Sequence, residues 1–226
     1  MKSFRFRESV WVCLGLWVAV TAAEPRGGRD KNRANQPTQN STSLSVPAHP
    51  FDVVLGRPTR DSVTVSVLAY QDAEGCIACG TDRGNYPQRT PTRLLKKGEP
   101  AEIVLGSLRP DTQYFYRLRL GGTNSAEGTF HTQRPPGSTF TFTLTADSHL
   151  DSNVSADLYQ RTLANALAEA PDFHIDLGDT FMTEKHLNRE NATRQDLAQR
   201  FYFGQLCASA PLFLVLGNHD GESPRG

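Results

Sequence analysis

Residues 140–149 read FTFTLTADSH, and two later stretches are built the same way: FHIDLGDT over 173–180 and LFLVLGNHD over 212–220. Each is a short β-prone run that ends in side chains with chemistry to offer. Between the first and second lies Ser155 to Ala170, with Leu158, Leu163, Ala166, Leu167 and Ala170 at helical spacing. Ser152, Asn153 or Ser155 can cap that helix and Pro171 closes it. Between the second and third, Leu197, Phe201 and Leu206 mark another helix near Thr193 to Leu206. Strand, helix, strand, helix, strand predicts parallel pairing through right-handed crossovers. The apolar runs, Leu212 to Leu216 above all, read as parallel strands covered on both faces.

Parallel α/β sheets bind ligands beyond the carboxyl ends of their strands. After the first strand stand Asp147 and His149, after the second Gly178 and Asp179, and after the third Gly217, Asn218, His219 and Asp220. Carboxylate, imidazole and amide oxygen suit a borderline-to-hard cation such as Zn, Fe or Mn. Two residues apart, Asp147 and His149 share a side if the strand continues extended, so both can reach one metal. Asp179 can bridge to a second metal. Asn218 can complete that second site without adding charge. His219 then stands beside the metals, free to donate a proton. The glycines allow sharp turns and close approach of the backbones.

Upstream the periodicity changes. Phe51, Val53 and Leu55 share one face, as do Val63, Val65 and Val67; Ile103 with Leu105, and Tyr114, Tyr116, Leu118 and Leu120, continue the alternation. Period-2 runs separated by turn residues predict an antiparallel sandwich. The run from Leu108 through Pro110 and Thr112 to Tyr114 is a turn feeding a strand whose first Tyr can hydrogen-bond back, the tyrosine corner of such sandwiches. Residues 51–132 look like a fibronectin type III domain. Such a domain usually positions or spaces something else, and its Tyr and Leu are most simply core. His131 to Ser138, with two consecutive prolines, is a stiff linker.

The N-terminus carries Lys2, Arg5 and Arg7, then an apolar run from Val10 to Val20, then Thr21, Ala22 and Ala23. This is the pattern of a secretory signal peptide over 1–23, and the apolar run is about half of the roughly 20 residues that span a bilayer. No other stretch is apolar enough to span one. Residues 24–50, polar and carrying four prolines, read as a disordered linker. A secreted or periplasmic location is therefore expected. Apart from Cys13 this leaves Cys76, Cys79 and Cys207, an odd count for an oxidising compartment. Cys76 and Cys79 read as a local disulfide or as two buried thiols rather than a zinc or redox motif. Sequons start at Asn40, Asn153 and Asn191. The chain has 24 Lys+Arg against 24 Asp+Glu, a formal net charge of zero, which argues against a general nucleic-acid binder.

The set Asp147-Ser-His149, Gly178-Asp179 and Gly217-Asn218-His219-Asp220 resembles the calcineurin-like metallophosphoesterase superfamily. A sandwich before the catalytic domain is the arrangement of purple acid phosphatases and their bacterial relatives. The resemblance implies a two-metal hydrolase whose activated water attacks a phosphate ester. It implies Asp147 and His149 on the first metal, Asp179 bridging, Asn218 on the second, His219 assisting the leaving oxygen, and Asp220 orienting His219. Two features depart from the pattern. Met182 stands where purple acid phosphatases carry a Tyr ligand, so their colour is not expected. The later His ligands of the family are absent, since six residues follow Asp220. His174 reads as an ordinary strand residue and His186 as a solvated loop residue. Residues 138–226 are thus expected to be the N-terminal half of the domain, with little or no activity alone. The competing reading is a non-enzymatic exported binding module with a degenerate half-domain. A third keeps the fold but turns it on nucleotides or nucleic-acid ends.

Overall fold

The computed structural model describes residues 46–150, 154–182 and 189–220. The signal peptide, the linker up to residue 45, the sequons at Asn40 and Asn153, and His186 lie outside the described residues. Nine strands make the N-terminal part: β1 Phe51–Gly56, β2 Val63–Ala69, β3 Ala73–Gly80, β4 Gln88–Arg89, β5 Arg93–Leu95, β6 Pro100–Leu105, β7 Gln113–Leu120, β8 Thr123–Asn124 and β9 Gly128–His131. They form two sheets, β1-β2-β6 and β4-β3-β7-β8, with β5 on β3 and β9 on β7. All pairings are antiparallel. The alternating residues do what their period predicts: Val53, Leu55, Val63, Val65 and Val67 from one sheet meet Ile77, Tyr114, Tyr116, Leu118 and Phe130 from the other. The tyrosine corner is present, with Arg109 N–H donating to Tyr114 Oη at 2.8 Å.

Cys76 and Cys79 are three apart on β3, and an odd separation points them to opposite faces of a strand. Cys79 lies in the core, Cys76 is half-buried, and both are free thiols, as is Cys207. Of the two readings offered for this pair, the structure selects the thiols. Burial pushes the Cys79 thiol up to about 11.

The C-terminal part has β10 Phe142–Thr145, α1 Ala156–Ala168, β11 Phe173–Asp176, α2 Arg189–Cys207 and β12 Leu212–Leu214. The strands pair in parallel in the order β10-β11-β12. Ser155 caps α1 by accepting the N–H of Leu158. Arg134 donates to Asp172 at 3.0 Å and Asp172 accepts the N–H of Thr141, which fixes the linker against the start of the sheet.

The expectation that both faces of this sheet are covered is overturned. Consecutive parallel strands joined by crossovers of one hand carry both helices on one side. Here α1 and α2 pack on each other, and Tyr159, Leu163, Tyr202, Phe203 and Leu206 form one cluster with Leu212. That covered face carries Thr143, Thr145, His174 and Asp176, with His174 and Asp176 fully buried. The opposite face carries Phe142, Leu144 and Phe213 at 48%, 51% and 45% exposure. Phe142, Phe173 and Phe213 form a row of rings across it, with centroids 5.6 and 5.4 Å apart. Leu158 is also exposed, because the buried stripe of α1 runs through Tyr159 and Leu163 instead.

Candidate metal centre

The three loops predicted to carry chemistry converge at the carboxyl ends of β10, β11 and β12. The strand ladder continues past the assigned ends: Leu177 N–H donates to Thr145 O at 2.9 Å and Val215 N–H to Asp176 O at 2.8 Å. Asp147 N–H then donates to Gly178 O at 2.9 Å, and His149 N–H to Asp179 O at 3.2 Å, which ties the first loop to the second. A Cβ on Gly178 would collide with the backbone of Gly217, and a Cβ on Gly217 with Asp179. The glycines serve the close approach expected of them.

Asp147, His149 and Asp179 each offer one ligand atom, and these atoms all lie within 4.8 Å of one another. The route to this convergence differs from the extended strand assumed from spacing. Asp147, His149 and Asp179 have φ of 55°, 54° and 54°, the left-handed region that non-glycine residues rarely occupy. Such conformations persist only where surroundings enforce them, and they gather at functional sites. His149 Nε2 is buried, has no hydrogen-bond partner among the described residues, and stands 3.5 Å from Asp147 Oδ1. A buried imidazole nitrogen left open beside two carboxylates fits a cation, and the donor set suits Zn, Mn or Fe.

The third loop joins through its backbone. His219 N–H donates to Asp179 Oδ1 at 2.9 Å, and the His219 ring lies 6.2 Å from that of His149. Asn218 is exposed on this loop. Asp220, expected to orient His219, also makes backbone contacts of its own. Asp220 Oδ1 accepts the N–H groups of Thr180 and Phe181 at 2.8 and 2.6 Å, and Oδ2 accepts that of Gly217 at 2.9 Å. The carboxylate therefore clasps the second loop to the third. Burial pushes its pKa up, but the backbone N–H bonds outweigh it and hold the group below its ordinary value.

Behind the loops runs a polar chain that apolar periodicity passes over. Thr143 and Thr145 bond the two ring nitrogens of His174 at 2.9 and 3.0 Å, and Thr145 donates to Asp176 at 2.8 Å. Asp176 Oδ1 accepts from Gly178 N–H and the Thr180 hydroxyl. Burial raises the Asp176 pKa and lowers that of His174 to about 4. Two glutamines of α2, Gln195 and Gln199, are also buried against the loops. Their signal in the sequence was a polar residue, repeated one turn later, on the face of a helix that must pack.

The fold and site together define a two-part architecture, a fibronectin-like sandwich followed by an α/β unit with a metal-type ligand cluster. Residues 140–226 match the family model described as calcineurin-like phosphoesterase, and the chemistry-bearing loops all fall within that match. A solved structure of PhoD superposes with a TM-score of 0.56 at 14% identity, covering 81% of this chain and 44% of that one. The likeness shows the fold, and this chain spans less than half the length of that protein. The FN5 domain of Drosophila Lar (21% identity, 40% of this chain and 100% of that one, TM-score 0.31) also matches. So does the FN3 domain of human collagen XX (22% identity, 39% and 100%, TM-score 0.29). Strand order and the tyrosine corner define the sandwich. No curated protein matches the chain. No helix among the described residues is long and apolar enough to cross a membrane.

Proposed function

We propose that the protein is an exported, metal-dependent phosphoesterase, with a sandwich over 51–132 and a catalytic segment over 138–226. The observation that carries this reading is the cluster of Asp147, His149 and Asp179 with His149 Nε2 left open inside it. Asp147, His149 and Asp179 would hold a first ion. Asp179 and Asn218 would hold a second more weakly, because they offer only two donors. When bound, such ions polarise the phosphoryl oxygens and activate a water for in-line attack. His219 lies beside the cluster and holds a proton for the departing oxygen of a phosphate ester. Asp220 keeps the His219 loop in register through three backbone N–H groups.

The test is a titration of the full chain with Zn²⁺ and with Mn²⁺, read by calorimetry, beside an aryl phosphate assay. One tight ion per chain is expected, and Asp179→Ala is expected to lose it while the β-sheet circular dichroism stays unchanged. Retained binding in Asp179→Ala, or no binding by the wild type, would sink the reading. The open apolar face of the β10-β11-β12 sheet favours a second reading, a non-enzymatic binding module. Two tightly bound ions with turnover would exclude it.

A further inference from the structure

We propose that α2 is a strut through which the sandwich sets the geometry of the metal loops, with Gln199 as the positioning residue; this rests on the metal reading above. Glutamine is seldom fully buried unless its amide is bonded. Gln199 Nε2 donates to Ser148 Oγ at 2.8 Å and to Thr180 O at 2.7 Å, and Oε1 faces the Tyr159 hydroxyl at 3.4 Å. Ser148 sits between Asp147 and His149, and Thr180 follows Asp179. One side-chain amide therefore joins the loop after β10 to the loop after β11. One turn earlier, Gln195 Nε2 donates to His149 O at 3.1 Å. The residues so held are next to or among those with φ near 54°. A left-handed backbone at these positions needs an external hold, and the two glutamines supply it.

The other side of the helix grips the sandwich. Successive residues of a helix point about 100° apart, so Arg200 leaves the face that Gln199 turns to the loops and reaches the sandwich. Its Nη2 donates to Ser66 O and Ser66 Oγ at 3.0 Å each, on β2. The Phe201 ring lies 4.8 Å from the His49 ring. Just past the helix, Tyr116 Oη donates to Ala208 O at 2.7 Å, and Thr129 N–H donates to Ser209 Oγ at 3.2 Å. Tyr116 belongs to the sandwich core itself. The sandwich thus fixes α2 at its middle and end, and α2 fixes both loops. Ser66, Tyr116 and Thr129 are the points through which the sandwich acts on the site.

The experiment titrates the full-length chain with Co²⁺ alone, reading affinity and the visible ligand-field band together. Gln199→Met keeps the volume and loses both donors. It is expected to weaken Co²⁺ binding by about 10- to 100-fold, the range for groups that orient metal ligands, and to shift the band. Arg200→Met, at the sandwich side, is expected to weaken it by about 2- to 30-fold. Leu118→Ala, in the sandwich core, is the control: it lowers thermal stability and leaves the band in place. Wild-type affinity and band in Gln199→Met would overturn the positioning role. A loss confined to Gln199→Met would overturn the strut, and an equal loss in Leu118→Ala would reduce both effects to general destabilisation. If Gln199→Met does not fold, Ser148→Ala removes one acceptor of the same amide and is read against the same outcomes. A wild-type chain that binds no Co²⁺ would overturn the metal reading and this inference with it, whereas binding by the wild type and all variants alike would overturn only this inference.

Discussion

The two sheet systems of this protein treat their apolar residues in opposite ways. In the sandwich, the alternating valines, leucines and tyrosines of each sheet are sealed by the other. In the three-stranded parallel sheet the arrangement is inverted. Its polar residues, Thr143, Thr145, His174 and Asp176, lie under the helices, while Phe142, Leu144 and Phe213 face outward. Burying polar groups is tolerable only when each is bonded, and here the bonds form one chain that ends on the Gly178 N–H and the Thr180 hydroxyl at the candidate site. The sandwich places apolar surface where stability requires it. The parallel sheet places polar groups where the metal loops require them.

The sharpest way to break this comparison is to cut into the sealed core. Leu118→Ala is expected to cost about 3 kcal/mol in chemical denaturation, as for a fully buried leucine. A loss below about 1 kcal/mol would mean the sandwich is not sealed as described.

The covered polar face should respond to acid instead. His174 stays neutral in the fold down to about 4, while an unfolded histidine takes a proton near 6.5. The unfolded state binds more protons between those values, so stability falls as pH drops from about 6.5 toward 4, by up to ~3 kcal/mol. Asp176, whose raised pKa acts in the opposite sense in acid, is common to both proteins when wild type is compared with His174→Gln. The variant is expected to be less stable at pH 7 and to show a flatter acid slope in denaturation midpoints. An unchanged slope would remove His174 from the account.

The smallest effect is expected on the open face. Phe213→Ser removes a ring that is already half in water, so the stability change should stay below about 1 kcal/mol. The same change should reduce binding of the dye ANS, which reports exposed apolar patches. A loss comparable to that of Leu118→Ala would show that this face is covered after all.

Much of the fold could be read from residue order. Period-2 alternation predicted the sandwich, and the spacing from Leu108 to Tyr114 predicted the corner bond that Arg109 makes. The three strand-end motifs predicted which loops meet, since parallel strands deliver their carboxyl ends to one edge. Local patterns failed where a partner was needed to interpret them. Leu158 reads as part of the apolar stripe of α1, yet the buried face runs through Tyr159 and Leu163 and leaves it in water. Gln195 and Gln199 look like solvent-facing residues until the loops they hold are beside them. Asp220 follows His219 directly, yet its carboxylate binds residues about 40 positions earlier in the chain.

The sequence by itself determined the elements, their order and the side-chain chemistry brought to the strand ends, because these follow from periodicity and from parallel topology. The tertiary structure decided which face of the β10-β11-β12 sheet is covered, which conformation lets Asp147, His149 and Asp179 converge, and which polar residues hold them. Those depend on crossover handedness and on hydrogen bonds between segments far apart in the chain, and no local pattern records either.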